Sequence, residues 1–175
     1  MPSRYTFTEH STAWALEFQL ESARLRSLLG DALCEVHHIG STSVPGLAAK
    51  PIIDVLPLVR QITAVDDRTP GFEAAGYRAR GEYGLPGRRY FTKDHDDLRT
   101  HNVHVYQVDD PGVERHLAFC AFLRSHEDVR REYEARKREV YARHPADIGA
   151  YNDGKDAWIK RVEPLAIAWY RQRAR

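Results

Sequence analysis

The sequence predicts an α+β fold: a mixed β-sheet built in the first two thirds of the chain, with helices packed on it and a helical last third. Short segments rich in β-branched residues and bounded by Gly and Pro recur between residues 34 and 108. Apolar residues at helical spacing precede them, and helix-type patterning fills the chain after Asp110. A chain of 175 residues suits one core, so a single domain over 1–175 is expected.

The first element is an amphipathic helix from Thr8 to Gly30, with Trp14, Phe18, Leu25 and Leu28 at helical spacing and Gly30 as its stop. "CEVHHI" (34–39) and "PIIDVLPLV" (51–59) read as strands joined by the 11 residues Gly40 to Lys50. A weaker helical pattern fills 60–75 and ends near Gly76. "YRAR", "RRYFTK" and "RTHNVHVYQV" then form a meander broken by Gly/Pro turns. Asp110-Pro111 supplies an N-cap followed by proline at the first helical position, which opens the helix "VERHLAFCAFLRS". Ser125 to Asp128 resembles a capping box, starting a charged and mostly solvated helix to about Arg143; Tyr133 and Lys137 are read as its surface. The last segment puts Ile148, Tyr151, Trp158, Val162 and Trp169 near one face, and Pro164 is expected to kink or split it. Trp14, Trp158 and Trp169 are taken as packing residues.

Composition narrows the function. With 42% hydrophobic and 29% charged residues and no apolar run near the roughly 20 residues of a membrane span, the chain reads as non-membrane. "MPSRYTFTEHSTAW" has no apolar stretch behind a basic start, so no secretory signal is expected and the compartment expected is the cytoplasm. A net charge of +1 gives no global field for steering onto nucleic acid, which is therefore unsupported as a partner. Cys34 and Cys120 are far apart among apolar neighbours and read as reduced core residues. Nothing in the sequence sets the oligomeric state.

The chemistry concentrates in "HHIGSTSVPGLAAKPIIDVL" (37–56). Gly40 allows close backbone approach, and Ser41, Thr42 and Ser43 offer hydroxyl and amide donors suited to phosphate oxygens, although a Gly-Ser turn is also an ordinary loop. Asp54 interrupts an apolar strand, sharing a face with Ile52, Leu56 and Leu58. A buried carboxylate there needs partners, while an edge-strand aspartate needs only water. In "RTHNVHVY" the alternation puts Asn102, His104 and Tyr106 on one face and His101, Val103 and Val105 on the other. Asn102 and His104 thus either complete a site with Asp54 or hydrogen-bond within the sheet. Lys155 interrupts the stripe formed by Tyr151 and Trp158, and either snorkels to water or points into a polar site. Lys50, Arg88, Arg89 and Arg99 are further cations able to meet phosphate.

"GSTSVPGLAAKPIIDV", "RTHNVHV", "LRSHEDVRREYEARKREV" and "AYNDGKDAWI" resemble the GrpB family, assigned to the nucleotidyltransferase superfold of polymerase-β type; the likeness runs from about His38 to Ile159. The resemblance implies that Gly40 and Ser41 meet the phosphates of a nucleotide triphosphate and that Asp54 ligates Mg²⁺; the residues themselves add Thr42 to the phosphate contacts and His104 as the partner of Asp54 in holding Mg²⁺ or Mn²⁺. It also favours Lys155 as a catalytic residue, Arg99 through its place in "RTHNVHV", and Lys50 and Tyr151 as phosphate or nucleotide contacts. The chain departs from active nucleotidyltransferases at Leu56, where a second carboxylate is usual, and has Asn102 where the family more often has histidine. The expected function is a metal-dependent nucleotidyltransferase acting on a nucleotide triphosphate and a small-molecule or protein acceptor. The alternatives are a non-catalytic module binding a nucleotide or phosphorylated metabolite, and a histidine-metal-dependent hydrolase. Family members also resemble a domain joined to some dephospho-coenzyme A kinases, which implies a phosphorylated ligand.

Overall fold

The computed structural model describes residues 5–173; the two ends of the expected 1–175 domain lie outside the described residues. Helix α1 (Ala13–Leu29) starts five residues later than the apolar spacing suggested, since Thr8 is extended and exchanges two backbone hydrogen bonds of 2.9 Å with Ala49. Strands β1 (Leu33–Ile39) and β2 (Ile53–Val59) follow, then a 3₁₀ turn (Ile62–Arg68) and the short helix α2 (Thr69–Ala74). Strands β3 (Tyr77–Ala79), β4 (Arg89–His95) and β5 (Leu98–Gln107) form the expected meander. The helical third comprises α3 (Pro111–Ser125), α4 (Glu127–Arg143) and α5 (Ile148–Arg173).

The five strands lie in the order β1-β2-β5-β4-β3, with β2 and β5 parallel and the other pairs antiparallel. Strand β2 is therefore an interior strand, covered on both faces, which is why it reads as a near-continuous apolar run. Its odd positions, Ile53, Val55 and Val59, join Trp14, Leu25, Leu29, Phe72, Phe91, Val103 and Val105 under α1 and α2. Its even positions Leu56 and Leu58 join Ile39, Tyr106, Val113 and Cys120 under α3. A third apolar cluster ties Val44 and Leu47 to Phe122, Tyr133, Trp158 and Val162, so the loop between β1 and β2 is seated on the three C-terminal helices. No helix among the described residues is long and apolar enough to cross a membrane.

Four local expectations need correction. Cys34 is exposed, because it is the unpaired residue of a bulge between Leu33 and Glu35 on an edge strand. No capping box forms: α3 runs through Ser125, and His126, with no side-chain cap, is the single residue between the two helices. Helix α5 runs unbroken through Pro164, which overturns the split but not the kink. Helix α4 is not a solvated rod, since Tyr133, Lys137 and Val140 are buried at steps of four and three. The proposed cap at Asp110 is present, its side chain accepting from Gly112 N at 2.7 Å.

Phe72 is fully buried and stacks on Phe91 with ring centroids 4.2 Å apart, so α2 is held to the sheet by this pair. Phe72→Ala should cost about 3–5 kcal/mol in urea unfolding, with Phe72→Leu costing clearly less. A loss well under 1 kcal/mol would mean that α2 is not anchored through this ring.

Candidate functional site

Asp54 opposes Ile39 on β1 and Asn102 on β5, so its carboxylate stands where β1 ends and the turn Gly40–Ser43 begins. Gly40 has φ +71°, and a Cβ built there would fall 2.5 Å from Asp54 Oδ2. The glycine thus makes room for the carboxylate of Asp54 itself, a different reason for its presence than the ligand approach inferred from sequence. Asn102 Nδ2 donates to Asp54 Oδ1 at 2.9 Å, and His104 Nε2 lies 3.4 Å from the same oxygen. The alternation along β5 thus points Asn102 and His104 to Asp54, while His101 faces Glu21 on the opposite side of the sheet. Burial pushes the Asp54 carboxyl up, but the hydrogen bonds from His104 and Asn102 and the charge of Lys50 outweigh it and hold the group below its ordinary value.

Both nitrogens of His104 are engaged. Arg88, buried and stacked over Tyr90 at 4.7 Å, places Nη1 3.4 Å from His104 Nδ1. A guanidinium only donates, so Nδ1 is the acceptor and Nε2 carries the proton directed at Asp54. Asn102 Oδ1 in turn accepts from Tyr90 Oη at 2.9 Å and from Arg99 Nη1 at 3.1 Å. Arg99 is also paired to Asp94, and Arg89 is paired to Asp66 away from the site.

Beyond Asp54 opens a cavity of about 220 Å³ lined by Ser41, Thr42, Asn102, Asn152 and three lysines, Lys50, Lys137 and Lys155. Asp54 is the one carboxylate in that lining. Lys50 and Lys155 each stand over the buried ring of Tyr151, at 4.9 and 4.8 Å from its centroid. Lys137, 1% exposed, donates to Ala48 O, which uses one of its three donors, and lies 4.8 Å from the Tyr133 ring centre. Burial lowers Lys50 to about 8, with Lys155 and Arg99 adding to the shift and Asp54 opposing it. Burial likewise pushes Lys137 well down, with Lys155 and Lys50 contributing, and lowers Lys155 against the pull of Asp54.

The structure therefore brings together Gly40, Ser41, Thr42, Lys50, Asp54, His104, Tyr151 and Lys155, with Arg99 one hydrogen bond further out through Asn102. Thr42 lines the cavity with its hydroxyl already engaged. Its hydroxyl is taken up by His38 Nε2 at 2.9 Å and by the Ile52 carbonyl at 3.3 Å. Burial lowers His38 to about 4, so its ring, stacked on Phe18, is neutral and ties the turn to β1, while the Ile52 bond ties it to the start of β2. Lys137 is the residue that the sequence reading misplaced. A signal for it exists: Val129, Tyr133 and Val140 form a stripe at helical spacing that Lys137 interrupts, as Lys155 interrupts the stripe of α5. Among the described residues no group of three or more His, Cys, Asp or Glu is placed to hold a metal ion.

The sequence profile of the family described as "GrpB protein" matches residues 4–164. The UPF0157 protein YqkA of Bacillus subtilis is 44% identical over 164 residues, covering 94% of this chain and 48% of its own length. The crystal structure of the conserved protein GrpB from Enterococcus faecalis superposes with a TM-score of 0.90 at 43% identity, over 94% of this chain and 99% of that one. The Cid1 poly(U) polymerase, in a structure with MgGTP bound, gives a TM-score of 0.52 at 13% identity over 84% of this chain and 50% of its own. This likeness shows the fold alone, which is α+β of nucleotidyltransferase type.

The contact between Gly40 and Asp54 yields a test. Gly40→Ala should destabilise the protein by about 1–3 kcal/mol from the left-handed backbone, with a further loss from the overlap on Oδ2. In an Asp54→Ala background the second part disappears, so the penalty measured by thermal unfolding should shrink. An unchanged penalty would mean that the two residues are not coupled.

Proposed function

Because the chain belongs to the GrpB family, we propose that it binds the phosphates of a nucleotide or other phosphorylated metabolite, in the cytoplasm, through Lys50, Lys137 and Lys155. One observation supports this above the others: three lysine side chains are held in one small cavity against a single carboxylate. Each lysine that lowers its neighbours' pKa would be relieved by an anion, and a phosphate group matches that surplus of charge. The likeness in fold to nucleotidyltransferases agrees with a nucleotide ligand without requiring one.

The donor set fits a resident Mg²⁺ or Mn²⁺ poorly. Such ions take about six oxygen ligands, whereas here one aspartate stands with a histidine whose nitrogens already bond Asp54 and Arg88. The three lysines add repulsion. No step is therefore assigned to a protein-held ion.

Nucleotidyl transfer is the second reading, favoured by the Asp54–His104 pair in the cavity wall. Asp54 would orient an acceptor, a small molecule or a protein, whose nucleophile would attack the α-phosphorus in line and lose its proton to solvent; the bond from that phosphorus to the bridging oxygen would break, and pyrophosphate would leave with its charge neutralised by Lys155 and Lys50. A histidine-metal hydrolase has less support, because the imidazoles near the site, His104, His116 and His38, are engaged, buried or both.

The sign of one substitution separates the readings. In calorimetric titrations at pH 6.5 without metal, Asp54→Asn should strengthen tripolyphosphate binding by about three- to tenfold, because it removes the only negative charge facing the anion. If binding instead requires Mg²⁺ or Mn²⁺ and Asp54→Asn abolishes it, the metal-dependent transferase reading stands. The direct reading also fixes a pH dependence. The protonated form of Lys50 binds the anion, and its pKa is about 8. Affinity should therefore fall as pH rises from 7 to 9, with the bound anion displacing the loss toward higher pH. A flat profile would remove Lys50 from the binding set.

A further inference from the structure

A second cavity, of about 180 Å³, adjoins the lysine pocket and is lined mostly by apolar side chains, among them Tyr5, Pro51, Ile52, Leu98 and Ile148. The two cavities share Lys50 and Ile52. They also share a wall, since the Tyr5 ring lies 5.5 Å from the Tyr151 ring, and Arg99 of the second cavity bonds Asn102 of the first. Lys50 stands between them, its ammonium 4.9 Å from the Tyr151 ring centre and 5.8 Å from that of Tyr5.

We infer that these two compartments form one amphiphilic site, in which the apolar compartment takes the organic part of the ligand whose phosphates lie on the three lysines. This rests on the phosphate-binding reading above and narrows it to esters with a substantial apolar or heteroaromatic moiety, such as a nucleoside. Inorganic polyphosphate would fill only the polar half. The separation of chemistry is the argument. Charge gathers on one side of Lys50, and on the other Leu98, Pro51 and Ile52 present surface that gains from leaving water against an apolar group. Arg99 at the junction adds a planar guanidinium against which a flat ring can stack. A compact sugar phosphate would leave that surface wet, so its affinity should resemble that of the phosphate alone.

The test compares tripolyphosphate with ATP, UTP and dephospho-coenzyme A by calorimetry, in wild type and in two variants of the apolar compartment. Thr6→Trp fills it from an exposed position, and Leu98→Ser removes apolar lining from an exposed strand end. Both sites are exposed, so folding should be retained. At least one organic phosphate should bind wild type about tenfold or more tighter than tripolyphosphate. Thr6→Trp should erase most of that advantage and Leu98→Ser part of it, with tripolyphosphate affinity unchanged in both. Equal affinity for tripolyphosphate and every organic phosphate would overturn the inference, as would variants that weaken all probes alike or none. If tripolyphosphate and the esters all fail to bind, the phosphate reading itself falls and the inference falls with it. If tripolyphosphate binds without an advantage for any ester, only the inference is lost.

Discussion

The sheet face covered by α3 is organised around one half-buried carboxylate that needs compensation. Asp54 lies on the interior strand β2, between apolar neighbours on both sides of the chain, where an ionised group needs hydrogen bonds and opposite charge to be tolerated. Strand β5 supplies the hydrogen bonds from Asn102 and His104, and the absence of a side chain at Gly40 supplies the space. The parallel pairing of β2 with β5 makes this possible, because it places Asn102 directly opposite Asp54. The meander that returns through β4 then adds Tyr90, and Arg88 beside it, behind the first partners. Sheet order and site are in that sense one construction.

Compensation of Asp54 does not account for the rest of the charge. His104 and Asn102 would satisfy the carboxylate without any lysine, yet α4, α5 and the loop after β1 each deliver one to the same cavity. Burying a lysine carries a desolvation cost, and clustering three raises it, as their lowered pKa values register. The aromatic rings of Tyr133 and Tyr151 offset part of that cost through cation–π contact. Lys137 also has a structural task in bonding Ala48 O, while Glu134, on the same helix, accepts from Ala48 N. That explains one lysine as a clamp on the loop; Lys50 makes a similar tie to α5, donating to Asn152 Oδ1 at 3.3 Å, whereas Lys155 is held over the Tyr151 ring. The anion proposed above would offset the desolvation and mutual repulsion that these contacts leave.

Sequence reasoning reached the parts of this arrangement that follow from local periodicity. The two-residue alternation of "RTHNVHV" put Asn102 and His104 on one face, and the isolated charge of Asp54 stood out from its apolar strand. Lys155 was visible for the same reason, as a break in an apolar stripe. Lys137 obeys that rule too, but α4 carries so many charges that its buried stripe is hidden among solvated neighbours, and only the packing of α3 and α5 against it reveals the face. The division of labour in the Gly-Ser turn was beyond local reasoning. Whether Thr42 faces a ligand or is held by His38 and Ile52 depends on contacts across 4 and 10 residues of chain, set by how the turn folds back on β2. Cys34 was misjudged because a bulge shifts the pleat by one residue, and nothing in its neighbours announces the shift.

The residue that most separates this chain from an active nucleotidyltransferase site is Leu56, two positions beyond Asp54. It is fully buried and packs with Ile39, Leu58, Tyr106, Val113 and Cys120 in the cluster that attaches α3 to the sheet. A carboxylate there would lie among apolar side chains and would need partners this cluster does not contain. Leu56 is thus a structural element of the α3 interface. Restoring the usual second acid would ask the helix to move or the cluster to be repacked. The single carboxylate is consequently a property of this domain's architecture as well as of its site, and any chemistry performed here has to be built on one aspartate, a histidine already held by an arginine, and a surplus of lysine.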